Sequence, residues 1–537
     1  MTTPMRFLPV NLNAVLVELD DLAQTLALLA SLRATPLAGV QELVPAARTI
    51  LITFRPAVLS AAALAQAVRQ RRLDACETRA DKRIEIPVRY GGEDIAEVAG
   101  LLGITPDELV RRHTGSDYTV AFTGFAPGFA YLSGGHPSLN VPRRAVPRTR
   151  IPAGAVGLAG SFSGVYPQAS PGGWQIIGVT DTPMWDLLRE TPALLQPGDT
   201  VRFVDATALK VALPVVENVV AAPAPMAVES GSAFFEVRAA GLQALWQDRG
   251  RHGQARQGVS ASGAMDQRSL HVANRLVGNA SDVACLELAY GGFQFVCRGE
   301  TVIAVTGAVG PLTLARNDGA QWPLPRYRPV ALADGDTITF GEPVAGIRSY
   351  LAVRGGFEVA PVLGSCATDT LARIGPPAVV AGDVLPVRAV AIGAVVGATE
   401  APPLDMPTVQ EEVVLDIVLG PRTDWFTADA VERLCSQPWS VTSQSSRIGI
   451  RLNGEEPPVR ANTAELPSEG TARGSIQVPP SGQPVLFLAD HPLTGGYPVI
   501  ASVATHHLDR AGQIPVNARV RFQPMAGPHG PHGPIEL

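Results

Sequence analysis

Four arginines crowd into the stretch PRRAVPRTR: Arg143, Arg144, Arg148 and Arg150. A guanidinium carries its N–H donors in a planar fork that matches carboxylate and phosphate oxygens, so such a cluster can hold an anion. It lies within 122–180, where Gly and Pro recur every few residues and the backbone must turn repeatedly. PGGW follows at 171–174. There Gly172 and Gly173 permit close approach of backbone to a ligand, and Tyr166 and Trp174 can supply an apolar wall. The same residues also read as turns with a solvated basic loop, both aromatics then belonging to a barrel core.

Carboxylates dominate the second half's candidates: Asp248, Asp266, Glu287, Asp369, Glu469 and Asp490. Asp266, in GAMD, is a catalytic candidate or simply the cap of the helix that follows it. Asn274 lies eight residues on, about 80° away on a helical wheel, so the two can share a face. Asp490 follows the apolar run VLFLA and so stands at a strand end. Arg447 and Arg451, four apart in SSRIGIRL, would share one face of a strand, as a surface stripe or as a ligand-binding pair. His506 and His507 follow a β segment, and His529 and His532 sit in a GPHGPHGP tail. HExxH, GxSxG and metal-ligand spacing are all missing from the sequence, so no metal is expected.

The basic residues exclude further chemistry. Lys82 and Lys210 are the only lysines. There is no GxxxxGK[ST] phosphate loop, and neither lysine has the Ala-Met-Lys-Met context of a biotin carrier. Any phosphate must be held by Arg, backbone N–H groups or a metal. A net charge of −6 argues against nucleic-acid binding. Five scattered cysteines without a CxxC pair fit reduced thiols. The first residues lack signal-peptide features, and no apolar run reaches membrane-spanning length, so a cytoplasmic protein without membrane partners is expected.

These groups need a scaffold. At 537 residues with 46% apolar content, two to four domains are expected. Strand at 13–19, helix at 20–33, two strands in 39–55, helix at 60–72 and strand at 84–90 give a βαββαβ order, a small ferredoxin-like unit over 1–85. From 86 to 212 the pattern is mostly β with many turns. Residues 213–233 read as a linker, 234–525 as a domain of two β-rich subdomains, and 526–537 as a flexible tail. An internal echo runs through the chain. PAGAVGLAG, SPGGWQIIGV and GDTVRF in the first half parallel SIQVPPSGQPV, LTGGYPVIASV and ARVRF in the second. Two related barrels, each closing with a V-R-F strand, would explain it.

FxPGFxYL, PRRxxPR, IPAG, GVYPxxSPGGW and PGDTVRF, in that order over about 5–210, resemble the allophanate hydrolase subunit 1 family, which includes the B subunit of bacterial 5-oxoprolinase. GAMD, AVTGA, YLAVRGGF, GSCATDT, SSRIGIRL, PSEG and TGGYP, over about 234–523, resemble the allophanate hydrolase subunit 2 family, which includes the C subunit of the same enzyme. Both are related to the carboxyltransferase domain of urea carboxylase. The resemblance implies a mainly β fold with α+β parts, a ferredoxin-like N-terminal subdomain and a cyclophilin-like β-barrel in each half.

It also implies a function. The expected role is a component of an ATP-dependent 5-oxoprolinase that, with a separate A subunit, opens 5-oxo-L-proline to L-glutamate through phosphorylation of the lactam oxygen. Mg-ATP would be co-substrate, and the chain would carry no covalent biotin. A homo-oligomer is compatible with this. Arg143, Arg144, Arg148 and Arg447, with Tyr166, Gly172, Gly173 and Trp174, would bind substrate or phosphate. Asp266, Asn274, Glu469 and Asp490 would be catalytic, Asn274 and Asp490 matching positions that line the urea enzyme's site. NGEEPP and PSEG replace the urea enzymes' GPK…HPSN pattern, which disfavours urea. The alternatives are a biotin-dependent carboxyltransferase whose carrier is on another chain, and a regulatory module like the related sporulation-kinase inhibitor and its antagonist. A cleft is expected in which the PRRAVPR and PGGW loops face Asp266, Asn274 and Asp490.

Overall fold

The computed structural model describes residues 5–73, 82–144, 146–206, 233–316, 318–390 and 395–525. Most of the expected linker and the expected tail lie outside the described residues.

The first unit is an antiparallel sheet in the spatial order Arg6–Asn11, Ala14–Glu18, Thr49–Phe54, Val40–Pro45. Helices Leu22–Ala34 and Ala61–Arg69 complete it, each started by a side-chain cap, Asp21 and Ser60. Leu28, Leu29, Leu32, Leu64 and Val68 lie in one core with the sheet's Val15, Val17, Ile50 and Ile52. The order is ferredoxin-like, with one change from the sequence reading. The fourth strand is Arg6–Asn11, from the N-terminal side. The strand at Arg83–Tyr90 instead opens the next unit, pairing in parallel with Thr200–Asp205.

That next unit is a closed seven-stranded barrel. Around its wall run Phe162–Val165, Ala130–Ser133, Asp117–Thr123, Thr200–Asp205, Arg83–Tyr90, Gln175–Val179 and Ala155–Ala159. A second closed barrel near the C-terminus repeats this order strand for strand: Val485–Phe487, Gly449–Asn453, Trp439–Val441, Arg519–Pro524, Glu412–Leu419, Val499–Val503 and Ser475–Gln477. In each, the V-R-F strand makes the parallel pair, Phe203 opposite Ile86 and Phe522 opposite Leu415. Each barrel also carries a two-stranded flap, Arg148–Ile151 with Ser170–Gly172 and Glu469–Gly470 with Thr494–Gly495. The faint echo in sequence is therefore a full duplication of topology.

Between the barrels lies a two-sheet sandwich of six and five strands. Phe235, Phe293, Phe295, Trp246 and Leu286 fill its core. Helix Gln267–Leu276 lies beside its five-stranded sheet, with Leu270, Ala273 and Leu276 buried against Ala304 and Tyr350.

Inside the first barrel, His113 stacks on Phe203 with ring centroids 4.3 Å apart and bonds Tyr90 at 2.7 Å and Ser163 at 2.9 Å. Burial depresses its pKa to about 3, so it is a neutral core group. Phe203→Ala and Phe522→Ala should each cost about 3–5 kcal/mol by opening a cavity. Hydrogen exchange should then rise first in the barrel that carries the change. Equal loosening of both barrels by either substitution would show that they do not act as separate units.

Candidate functional site

The arginine cluster faces three ways. Arg148 forms a fork on Asp94, with Nη1 to Oδ2 at 2.9 Å and Nη2 to Oδ1 at 2.7 Å. Arg144 joins the same carboxylate at 2.7 Å. Asp94 stands just before helix Ile95–Leu102 and also accepts the Ile176 N–H at 2.6 Å. Burial alone would raise its pKa, but Arg148, the Ile176 N–H and Arg144 hold it below the usual carboxylate range. Two of the expected phosphate ligands are thus occupied by one carboxylate of their own barrel. Arg150 is exposed.

Arg143 crosses to the second barrel. It pairs with Glu465 at 3.0 Å and donates to Ser468 Oγ at 3.1 Å. A Cβ at Gly496 would meet the end of its guanidinium, which would have to swing aside from the TGGYP loop. Ser468 in turn donates to the Tyr131 hydroxyl at 3.2 Å. Nearby, the 124–128 turn of the first barrel seats on the 255–258 turn. Thr123 Oγ1 donates to Ala255 O at 3.1 Å and Gly128 N to Gln257 O at 2.9 Å. A Cβ at Gly258 would come within 2.5 Å of Ala126 O, and Gly258 has φ +76°, so glycine is required there twice over.

Tyr166 and Trp174 are buried in an aromatic cluster with Phe129. Gly172 backs onto the Tyr166 ring, and Gly173 O accepts the Arg144 N–H at 2.8 Å. The PGGW loop is therefore the floor beneath the arginine loop, and both aromatics are core.

Arg447 is a buried cation that joins three elements. It bonds Asp490 through Nε and Nη2, both at 3.0 Å, donates to Gly263 O at 2.6 Å, and pairs with Glu287 of the sandwich. Arg447 lies before strand Gly449–Asn453 and Arg451 is exposed on it, so they do not share a face. Asp490 accepts further bonds from Ser262 at 2.6 Å and from Thr370 N and Oγ1 at 2.9 and 2.7 Å. Burial would raise its pKa, but Arg447 outweighs it and keeps the carboxylate charged. Both its oxygens are filled by protein. Next to it, burial and the Asp490 charge push Asp369 up to about 7. Arg251, 2% exposed, feels the charges of both.

Asp266 caps helix Gln267–Leu276. It accepts from Ser269 N at 2.8 Å, Ser269 Oγ at 2.6 Å and Gln513 at 2.9 Å. Burial and the neighbouring Asp509 raise its pKa to about 6. Asn274 instead ties the next loop, donating to Val283 O at 2.7 Å and accepting from Asn279 at 3.2 Å. No hydrogen bond or ion pair among the described residues joins Arg143, Arg144 or Arg148 to Asp266, Asn274 or Asp490. The one-cleft arrangement is not what the geometry brings together.

It brings Arg143 to Ser468 and Glu465 instead. Next to Ser468, Glu469 lines a cavity of about 160 Å³ between the N-terminal sheet and the second barrel. Arg422 forms the base, with Nε to both Glu469 oxygens at 3.0 and 3.1 Å and Nη2 to Glu18 at 2.8 Å. Burial pushes Glu469 up against the opposing pull of Arg422. Glu18, though burial would raise it, is held low by Arg422, Arg6 and Arg48 together. Sequence reasoning misses Asp94, Glu18, Arg422 and Glu465, whose partners lie far along the chain. The echo holds a signal for Arg422. Its N–H bonds Val499 O as that of Asp94 bonds Ile176 O, so the two occupy one position of the duplicated barrel.

One trio of metal-ligating types meets among the described residues: Asp416, His506 and His507. His506 bonds the Asp416 carboxylate at 2.9 Å. His507 Nδ1, however, accepts the Asp416 backbone N–H at 2.9 Å, which occupies its lone pair. The trio is a latch between a strand and the turn after Val499–Val503.

Comparison with known proteins agrees with both halves. The model for the carboxyltransferase domain, subdomains C and D, matches residues 5–195, and that for subdomains A and B matches 257–524. The chain belongs to the carboxyltransferase-domain family. It is 34% identical over 289 residues to the C subunit of 5-oxoprolinase from Escherichia coli K12, covering 53% of this chain and 88% of that one. It is 51% identical over 124 residues to the B subunit of 5-oxoprolinase from Escherichia coli O157:H7, covering 22% of this chain and 57% of that one. The crystal structure of TTHA0988 superposes with a TM-score of 0.80 at 34% identity, covering 95% of this chain and 99% of its own. Members of this family thus occur with the two halves fused, and this chain is one.

Two outcomes test the Arg447 cluster. Arg447→Met leaves Asp490 buried without its cation and Glu287 with only Arg348, at 3.5 Å, and should destabilise by about 3–5 kcal/mol in urea unfolding. A change below about 1 kcal/mol would mean that the pair contributes little. Asp369, with its folded pKa raised to about 7, binds its proton more tightly when folded. Stability should therefore fall as pH rises from about 4, the unfolded value, towards 7. Asp369→Asn should flatten that part of the profile, and an unchanged slope would remove Asp369 as its source.

Proposed function

We propose that this chain is the fused B and C component of an ATP-dependent 5-oxoprolinase, working with a separate A subunit on 5-oxo-L-proline. The observation that carries it is the seam between the halves. One half similar to the B subunit and one similar to the C subunit lie in one chain and interlock through Arg143, Glu465 and the Gly258 turn. The lactam is a poor electrophile. Transfer of the ATP γ-phosphoryl group to its oxygen, with ADP leaving, makes the ring carbon open to water; the ring C–N bond then breaks to give an acyl phosphate, which a second water hydrolyses to glutamate and inorganic phosphate. Arg144 and Arg148 are held by Asp94, and the Glu469 cavity, at about 160 Å³, is below nucleotide size. This favours placing ATP and its Mg on the partner subunit or at its junction with this chain.

The family's carboxyltransferase description supports a second reading, transfer of a carboxyl group from biotin on another chain. Purified chain alone should release no glutamate from 5-oxo-L-proline, and adding an A subunit should give ATP-dependent release. Turnover by the chain alone, or ATP use driven by urea and a biotin carrier but not by 5-oxo-L-proline, would overturn the proposal. The chain should also give no avidin-reactive band after expression with ample biotin. A strong band would contradict the view that neither lysine is a carrier site.

A further inference from the structure

The cavity between the N-terminal sheet and the second barrel is built from both halves. Arg6, Glu18, Arg48 and Thr49 come from the first, and Arg422, Trp425 and Glu469 from the second. Its volume of about 160 Å³ holds roughly five waters. That suits a small metabolite and is well under the roughly 300–1,000 Å³ of clefts for drug-sized ligands. Its wall has an unusual balance. Arg422 is fully engaged by two carboxylates. Arg6 and Arg48 are half exposed; Arg6 pairs with Glu18 at 2.7 Å and with Asp424, also in the wall, at 3.4 Å, and Arg48 touches Glu18 through only one nitrogen, at 3.3 Å. Both can still donate. Thr49 is 2% exposed, and its hydroxyl has no partner in the protein. A buried hydroxyl left unpaired is unfavourable by about 1–3 kcal/mol, so something that bonds it is expected. On the opposite side, Glu469 Oε2 meets Arg422 only through Nε, which leaves acceptor capacity. The half-buried Trp425 supplies an apolar surface.

We propose that this cavity binds a small carboxylate bearing a neighbouring N–H, the chemistry shared by a free α-amino acid and its cyclic lactam. The ligand carboxylate lies against Arg48 and Arg6 and accepts the Thr49 hydroxyl proton. The ligand N–H points to Glu469 or Glu18, and its short carbon skeleton lies on Trp425. The recognition follows from the cavity's own groups, while the choice of lactam as a probe rests on the function proposed above.

Calorimetry on the full-length chain, without any partner subunit, tests this with three probes: 5-oxo-L-proline, L-glutamate and cyclopentanecarboxylate. The last keeps the ring and the carboxylate but lacks the N–H. Saturable binding is expected for 5-oxo-L-proline, L-glutamate or both, the tighter of them identifying ring or open chain as the ligand. Cyclopentanecarboxylate should bind at least tenfold more weakly. Arg48→Met should weaken binding about 10- to 100-fold and Thr49→Val about three- to tenfold, the ranges for charged and neutral hydrogen bonds. Neither should lower the melting temperature appreciably, because Arg48 makes one partly exposed ion pair and the Thr49 hydroxyl makes no bond. Failure of all three probes to bind, equal binding of cyclopentanecarboxylate, or unchanged affinity in both variants would each overturn the proposal. The two proposals can fail separately. Turnover with an A subunit that both variants leave intact would keep the function and reject the cavity. Binding lost in the variants, with no turnover under any condition, would do the reverse.

Discussion

The Arg447 guanidinium is the constraint on which the second half depends. It is 2% exposed and lies between Glu287 of the sandwich and Asp490 beside the barrel. Removing a cation and two carboxylates from water is expensive, and only a complete set of short bonds offsets it. The chain supplies that set through Gly263 O, Ser262 and Thr370. Sandwich, Gly-rich loop and barrel must therefore dock in one geometry or leave charges buried and unpaired. A purely apolar contact would tolerate sliding; this one does not.

A second buried arginine, Arg422, does the same for the two halves. Its counterpart in the first barrel is Asp94. Asp94 and Arg422 follow the equivalent first strand of each barrel, and each reaches the first strand of its barrel's flap. In the first barrel the carboxylate is on the loop and the arginine, Arg148, on the flap. In the second the arginine is on the loop and the carboxylate, Glu469, on the flap. The attraction is the same with its polarity reversed. The reversal has a consequence. Asp94 is closed within its own barrel by two arginines, whereas Arg422 has capacity left over for a carboxylate from outside, and Glu18 of the N-terminal sheet takes it. With the charges exchanged, what is an internal latch in the first barrel is a joint between domains in the second.

What is legible in sequence follows from range. The V-R-F strands, the Asp266 cap and the Gly- and Pro-rich turns are local or repeated signals, and they lead to two barrels. The strand at 6–11 escapes because RFLPVN is short and carries a proline, and strand 84–90 goes to the wrong sheet because parallel pairing with 200–205 has no local mark. Site residues are harder still. Arg143, Arg144 and Arg148 look alike in PRRAVPR, yet one crosses to Glu465 while two turn inward to Asp94. Which carboxylate an arginine meets is decided by tertiary packing, hundreds of residues away in the case of Glu465. Asp490 has the right composition around it for catalysis, but only the folded chain reveals that its oxygens are filled.

The position of the Glu469 cavity bears on why the halves share a chain. Its walls come from both, so neither half alone contains it. Fusion replaces a bimolecular encounter with an intramolecular one, at an effective concentration typically in the millimolar range for short connections. The seam itself is mixed in character. It combines a buried apolar patch, in which Leu8, Leu16, Val44 and Leu51 of the N-terminal sheet meet Ala255 and Leu493, with ion pairs, hydrogen bonds and glycine-permitted close approach at Gly258. The apolar patch supplies affinity, while the charged and polar contacts give register and specificity. A tether adds effective concentration to the affinity of the apolar patch, and the ion pairs set the geometry of the cavity.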